Sequence, residues 1–147
     1  MDWHHEFLLA ARIIYAALLG GLIGWERESN DRDAGLRTYM AVAVGSCAFS
    51  IISQQATGDP TRIAAQVVTG IGFIGAGVIL QVRGHVKGLT TAATIWATAA
   101  VGMASAFSMY LLAGLSAILI VGMLSLNSLP GWKHIIKSKD IKQTDEH

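Results

Sequence analysis

The chain has 147 residues, of which 52% are apolar and only 14% are charged, and its formal net charge is +1. Soluble domains carry roughly 25% charged residues, so this composition and a mean hydropathy of +0.48 predict a membrane protein. At about 20 residues per membrane-spanning helix, the length leaves room for five helices and excludes a separate soluble domain.

Five apolar segments follow one another along the chain, at residues 7–25, 36–53, 63–82, 90–106 and 109–129. Each is continuously apolar, whereas the strands of a membrane barrel alternate in polarity over about 10 residues. The pattern therefore predicts an all-α polytopic membrane protein with five transmembrane helices. We assign residues 1–129 to this transmembrane domain and residues 130–147 to a short basic tail.

The Lys and Arg residues are distributed unevenly between the two sides of the predicted membrane. Nine of the 11 fall in the first loop, the third loop or the tail, whereas the opposite side has only Arg62 and the remaining one, Arg12, lies within the first segment. Because loops rich in Lys and Arg stay in the cytoplasm, we predict that the N-terminus lies outside and the C-terminus in the cytoplasm. The lipid bilayer is thus the first predicted partner, and no nucleic-acid partner is indicated.

The first loop, residues 25–38, contains four acidic residues among three arginines: Glu26, Glu28, Asp31 and Asp33. Carboxylates at this density could hold a hard cation such as Mg2+. The interleaved arginines favour a salt-bridged surface loop instead, and both interpretations stay open. Glu26 and Arg37 lie next to the apolar segments, and we hypothesise that an ion pair between them ties the ends of the loop together.

The third segment is rich in glycine, at Gly70, Gly72, Gly75 and Gly77. The first three spell G-x-G-x-x-G, but a dinucleotide site requires that pattern after a strand and at the start of a helix. Inside an apolar membrane segment the pattern does not indicate nucleotide binding. Glycines at this density let a neighbouring backbone approach closely or let the helix bend, so we interpret them as a packing or gating element.

Polar residues inside the membrane segments are few. Thr90, Thr94, Thr98 and Gly102 recur every fourth residue and share one helix face. Their hydroxyls either bond the carbonyls one turn earlier or line a hydrated path against the glycines of the third segment. Gln66 lies about one turn into the third segment, where an amide is expected to bridge helices.

Four blocks of sequence carry a family resemblance: GLIGWERE at 21–28, AGLRT at 34–38, RIAAQVVTGIGFIGAGVIL at 62–80 and GLTTAATIW at 88–96. In this order they resemble the membrane domain of the MgtC/SapB family of bacterial inner-membrane proteins. The matching motif positions are Gly24, Glu26, Arg27, Glu28, Gly35, Leu36, Arg37, Thr38, Gln66, Gly72, Gly75, Gly77, Gly88, Thr90 and Thr91.

The resemblance implies five spans, a cytoplasmic C-terminus and a location in the bacterial inner membrane. It also implies a role in growth at low Mg2+, in survival inside host phagocytes and thus in virulence, and, for some members, restraint of the ATP synthase. Longer members of the family carry an additional cytoplasmic C-terminal domain. Any regulatory function housed in that domain is not implied for the residues present here.

Two classes of function stay open. The chain is either a helix-packing regulator that contacts the ATP synthase or another membrane complex, or a small oligomeric channel or transporter for Mg2+, K+ or protons. Asp and Glu are absent from the interior of every predicted span, whereas cation and proton carriers usually keep an acid there. This absence favours the regulator.

Enzymatic activity is not expected, because the sequence shows no catalytic triad order, no histidine pair at metal-binding spacing and no phosphate-binding loop. The sequence indicates no cofactor apart from a possible Mg2+ ion. Five short helices bury little surface against one another, so we expect a homo-oligomer and, in its simplest form, a two-fold homodimer.

Overall fold

The computed structural model describes residues 3–56, 59, 61–82 and 85–126. Its elements are five helices and one hairpin: α1 (Trp3–Ser29), α2 (Leu36–Gln55), α3 (Arg62–Val78), β1 (Leu80–Val82), β2 (His85–Lys87), α4 (Leu89–Ala106) and α5 (Tyr110–Ser125). The predicted helical fold with five helices is confirmed. The helices α1, α2 and α4 are long and apolar enough to cross a membrane, and α3 and α5 are shorter apolar helices.

Helix α1 extends beyond the predicted segment 7–25 at both ends. The residues Glu26, Arg27 and Glu28, which we expected in the first loop, therefore belong to its last turns. Glutamate and arginine are good helix formers, so the charged sequence does not end the helix. The chain leaves it at Asp31, which adopts a left-handed conformation with φ 51°.

The third segment ends earlier than predicted, at Val78 rather than at residue 82. The residues that follow form an antiparallel hairpin in which Leu80 pairs with Lys87 and Val82 with His85. The expected loop is therefore partly a two-stranded sheet. Gly88 closes it with φ 87°, at a point where any Cβ would overlap the carbonyl oxygen of Val78.

Helix α4 occupies the centre of the bundle, since it packs against each of the other four helices. Ten of its 18 residues are buried, whereas only three of the 17 residues of α3 are buried. The second and fourth segments match their predictions to within two residues at each end. The predicted ends of the fifth segment at 127–129 and the basic tail at 130–147 lie outside the described residues.

Small residues bring the backbones of α1, α2 and α4 together. A Cβ at Gly24 of α1 would lie 2.6 Å from the Cα of Leu36 on α2. A Cβ at Gly102 of α4 would overlap the carbonyl oxygen of Ala43, also on α2. Glycine is therefore required where these helices cross, as expected for membrane helices that pack through small residues.

The end of α4 is held by side chains from two other helices. The carbonyl oxygen of Ala106 accepts hydrogen bonds from Arg12 Nη1 at 2.9 Å and from Gln54 Nε2 at 3.1 Å. The last carbonyls of a helix have no partner within it and carry partial negative charge. The guanidinium of Arg12 therefore both satisfies and stabilises this helix terminus.

The glycines of α3, predicted as a packing or gating element, mostly do not pack against other helices of the chain. Of the four, only Gly75 contacts a neighbour, since a Cβ added there would lie 3.6 Å from the carbonyl oxygen of Ala92. Gly70, Gly72 and Gly77 face open space, with no atom within 4 Å of an added Cβ. Packing within the chain thus accounts for one glycine of the four.

We expect Gly102→Ala to lower the free energy of unfolding by about 1–3 kcal/mol, because the added methyl group would force α4 away from α2. The matched control is Gly122→Ala on α5, where an added Cβ meets nothing within 4 Å. This change should stabilise its helix by up to about 1 kcal/mol. Unfolding of both variants in lipid bicelles measures the difference, and equal effects would contradict close packing at Gly102.

Candidate functional site

Polar side chains from three helices meet inside the bundle, near the start of α4. We call this group the polar cluster: Glu26 and Arg27 of α1, Tyr39 of α2, and Thr91 and Thr94 of α4. The buried positions of α1 near this point are Gly20, Ile23, Gly24 and Arg27. Their spacing follows one helix face, so the packing of α1 through its glycines also turns Arg27 into the interior.

Arg27 is 4% exposed, and its guanidinium has few hydrogen-bond or ion-pair partners for a buried charge. Its Nη2 donates to Thr91 Oγ1 at 3.3 Å, and its Nη1 lies 3.8 Å from Glu26 Oε2. Its Nε is buried without a hydrogen bond. Since burying a charge is costly unless it is paired, the ion pair with Glu26 is what makes this position tolerable for an arginine.

The carboxylate of Glu26 has two different environments. Its Oε1 accepts a hydrogen bond from Asn30 Nδ2 at 3.0 Å. Its Oε2 faces Arg27 and is buried without a hydrogen bond. The hypothesis of a Glu26–Arg37 ion pair is wrong, because Arg37 is exposed and the ion pair found among the described residues joins Glu26 to Arg27.

The hydroxyl groups of Tyr39 and Thr94 form a short hydrogen bond of 2.5 Å. Thr94 Oγ1 also lies 2.9 Å from the carbonyl oxygen of Thr90, which can only accept. Because Thr94 has a single hydroxyl proton and gives it to its own helix, Tyr39 is the donor to Thr94. The tyrosine oxygen then has lone pairs free for the nearby guanidinium of Arg27.

The threonine face of α4 is bonded to its own helix. Thr94 donates to the carbonyl of Thr90, and Thr98 donates to that of Thr94 at 2.8 Å. This confirms the first of the two interpretations of these threonines. The buried face itself is made of Thr91, Thr94, Thr98 and Gly102, whereas Thr90 is exposed.

The predicted site residues separate into three groups. Glu26, Arg27 and Thr91 come together in the polar cluster. Glu28 caps α2, since its Oε2 accepts from the backbone N–H of Leu36 at 2.8 Å. The others lie apart from the cluster and are exposed, except for Gly75: Arg37, Thr38, Gln66, Gly72, Gly75, Gly77 and Thr90.

The four candidate metal ligands are not gathered around one point. Glu26 faces Arg27, Glu28 caps α2, and Asp31 and Asp33 are exposed in the loop. Among the described residues, no group of three or more His, Cys, Asp or Glu side chains lies close enough to hold a metal ion. A Mg2+ site in this loop stays a prediction.

Sequence reasoning missed Tyr39 as a member of the cluster. The side chain is fully buried, and a tyrosine hydroxyl inside a membrane segment needs a hydrogen-bond partner. That requirement was a usable signal in the sequence. The partner could not be named, because Thr94 lies 55 residues further along the chain.

A second feature is an apolar groove of about 630 Å3 between α2 and α3, which we call the α2–α3 groove. Its α2 wall consists of Thr38, Ala41, Val42, Gly45, Ser46 and Phe49. Its α3 wall consists of Ile63, Gln66, Val67, Gly70, Ile71 and Ile74. Both walls follow the spacing i, i+3, i+4, i+7, i+8 and i+11, so each is one continuous helix face about three turns long.

A model of the MgtC family matches residues 13–129, and the chain belongs to this family. Protein MgtC of Brucella abortus (strain 2308) is 52% identical over 105 residues, which cover 70% of this chain and 44% of that protein. Protein MgtC of Salmonella typhimurium (strain 14028s) is 51% identical over 92 residues, or 62% of this chain and 40% of that protein. The chain thus spans less than half the length of these relatives.

A further relative, named "Putative magnesium transporter YhiD", comes from Escherichia coli (strain K12). It is 48% identical over 115 residues, which cover 71% of this chain and 53% of that protein. Comparison with solved structures finds no match. The family expected from the four sequence blocks is therefore confirmed, and all the residues of the polar cluster lie within the matched range.

We expect Thr94→Val to lower the free energy of unfolding by about 1–3 kcal/mol, because it leaves the buried hydroxyl of Tyr39 without a partner. Adding Tyr39→Phe should recover part of that loss, since the double variant has no unsatisfied hydroxyl. The exposed Thr90→Val serves as the control. A double variant that loses the sum of both single effects would contradict the Tyr39–Thr94 bond.

We expect Glu26→Gln to destabilise the fold by roughly 3 kcal/mol, because it leaves the buried guanidinium of Arg27 without its counter-charge. Glu6→Gln is the matched control on the same helix, where the side chain is exposed. Thermal unfolding in lipid compares the two variants. If both unfolded at the same temperature as the unmodified chain, the ion pair would not be stabilising.

Proposed function

We propose that this chain is a non-enzymatic protein of the bacterial inner membrane that helps the cell adapt to low Mg2+. In this proposal it acts by contacting another membrane complex and does not conduct the ion itself. The N-terminus lies outside and the C-terminus in the cytoplasm, so the polar cluster lies towards the cytoplasmic face. The family membership supports the link to magnesium, and the closed interior of the bundle supports the mode of action.

The closed interior is the observation that carries the proposal. Between the polar cluster and the far end of α4, the buried side chains are mostly small or apolar, as at Ile95, Ala99 and Val101. The hydroxyls of Thr98 and Ser105 are bonded to their own helix. A cation that crosses without its water requires a set of oxygen ligands in place of the hydration shell. Of the buried hydroxyls described, Ser50 Oγ is the one without a hydrogen-bond partner, and a single hydroxyl does not replace that shell.

The outer surface supports a role in protein contacts. The exposed side chains of α5 are large and apolar, as at Leu111, Leu115 and Leu119, which suits contact with lipid. Helix α3 instead exposes a stripe of small residues: Ala65, Thr69, Gly72 and Ala76. Membrane helices associate through small residues of this kind, so this stripe is the surface that we assign to the other complex.

The resemblance to the MgtC/SapB family implies what that complex does. It points to the ATP synthase or another energy-converting complex, and to a contribution to survival inside host cells. Restraint of such a complex through α3 requires no catalytic residue and no cofactor of this chain. The transmembrane helices of this chain would then be sufficient for that contact.

Transport is the second candidate, and two observations favour it. The Escherichia coli relative carries the name of a magnesium transporter. In addition, the Oε2 atom of Glu26 is buried and accepts no hydrogen bond. A cation that displaced Arg27, whose Nη1 lies 3.8 Å away, would find a carboxylate oxygen there. Transport along a pathway between the subunits of an oligomer would be consistent with both observations.

Flux measurements on purified protein in liposomes distinguish the two candidates. We expect no flux of Mg2+, K+ or H+ above that of empty liposomes. In a bacterium that lacks its own copy, the chain should support growth at low Mg2+, and Gly72→Leu should abolish that support. Gly122→Leu on α5 is the matched control, because both glycines face open space. Robust flux would overturn the regulator and support the transporter.

A further inference from the structure

We propose that two copies of this chain form a parallel two-fold dimer through α3, with Phe73 of each copy inserted into the α2–α3 groove of the other. This goes beyond the proposed function, which concerns a different complex and a different face of α3. The groove is the concave half of the contact, and Phe73 is the convex half. Phe73 is 86% exposed, among the most exposed large apolar side chains described.

The centre of the groove admits another helix closely. Gly45 lies midway along the α2 wall and Gly70 midway along the α3 wall. An added Cβ at either position meets no atom within 4 Å. Open space on both walls at the middle of an apolar groove allows a second helix backbone to approach, which is how small residues act in membrane interfaces.

The depth of Phe73 matches the groove. Two copies inserted in the same direction are related by an axis along the bilayer normal, so each residue has the same depth as its counterpart. Phe73 precedes Ile74, which lines the end of the groove farthest from the connection between α2 and α3. Ala41 lies towards the same end of the α2 wall, because the two helices run antiparallel. Phe73 of a second copy therefore reaches the groove at the level of Ala41.

The orientation of α3 makes the contact reciprocal. At about 100° per residue, Gln66, Gly70 and Gly77 fall within about 40° of one another on a single face of α3. From the middle of that face, Phe73 lies about 40° to one side and Ile74 about 60° to the other. A two-fold axis exchanges these sides, so each Phe73 faces the side of the other copy that bears Ile74 and the groove.

The dimer also gives the amide of Gln66 a hydrogen-bond partner. This amide is exposed on a membrane helix, where contact with lipid would leave its hydrogen-bonding groups unsatisfied. On the proposed axis the two Gln66 side chains meet, and each amide can donate to the other. A lipid chain in the groove offers no such partner. Gly70 and Gly77, both open, let the two α3 backbones approach one turn and three turns beyond this pair.

The available surface is large enough for a specific contact. Helix α3 is 17 residues long and therefore spans about 25 Å. Together with α2, about 10 Å away, it forms a face roughly 20 Å wide. The two copies thus bury on the order of 1,000 Å2, which reaches the lower limit for a specific interface.

Disulfide cross-linking in native membranes tests the geometry, with Cys47 first changed to alanine. We expect Gln66→Cys to cross-link two copies, because the positions meet on the axis. Leu119→Cys on the lipid-facing side of α5 is the matched control and should not. In a mixture of two differently tagged chains, Phe73→Cys in one should cross-link to Ala41→Cys in the other. Cross-linking of Gln66→Cys no greater than that of the control would overturn the proposal.

The oligomeric state in lipid nanodiscs tests the energetics. Phe73→Ala should raise the dissociation constant roughly tenfold or more, as expected for an aromatic anchor in an interface, and Leu119→Ala should not. At Gly45 an added Cβ meets no atom within 4 Å, so Gly45→Leu extends its side chain into the groove from the α2 wall. It should therefore prevent the dimer while leaving helix content and thermal stability unchanged.

Three results would overturn the dimer: a monomeric unmodified chain, an unaltered dimer in Gly45→Leu, or a groove occupied only by lipid or by another protein. None of these bears on growth at low Mg2+, which the proposed function tests through Gly72. Conversely, loss of growth in Gly72→Leu with an intact dimer would support the proposed function alone.

Discussion

The close approach of the α1, α2 and α4 backbones is the constraint on which the rest of the structure depends. Gly24 and Gly102 leave no room for a side chain at the two crossings. Because the backbones are this near, Tyr39 reaches Thr94 and Arg27 reaches Thr91 across helix boundaries. In a bilayer a buried polar group finds its partner within the protein, so glycine packing and polar pairing stabilise the same three-helix unit.

The two remaining helices are held less tightly and carry the outer surfaces. Helix α3 buries only three of its 17 residues, and its exposed face is divided between small residues and the wall of the α2–α3 groove. Helix α5 exposes leucine and isoleucine instead. In the proposed function and in the proposed dimer, these two chemically different outer faces have different roles, since α5 contacts lipid and α3 contacts protein.

Much of the fold followed from hydrophobic segments alone, because a membrane helix has to be long and apolar. The predicted helix ends were wrong where hydrophobicity does not decide the end of a helix. At Glu26, Arg27 and Glu28 the charged residues continue α1, since propensity and capping decide where a helix ends. Beyond Val78 the chain turns into a hairpin, although Ile79, Leu80 and Val82 are still apolar. The site was predicted in part: Glu26, Arg27 and Thr91 were named, whereas Tyr39 was not and Arg37 was assigned a wrong partner.

The sequence by itself determined the class of protein, the number of helices and the family. These features depend on composition or on neighbours within one helical turn. Only the tertiary structure decided which polar groups meet and which glycines pack. Those outcomes depend on the rotation of each helix about its axis, as when α1 turns Arg27 inward and α3 leaves Gly72 open. That rotation is set by contacts between residues far apart in the chain.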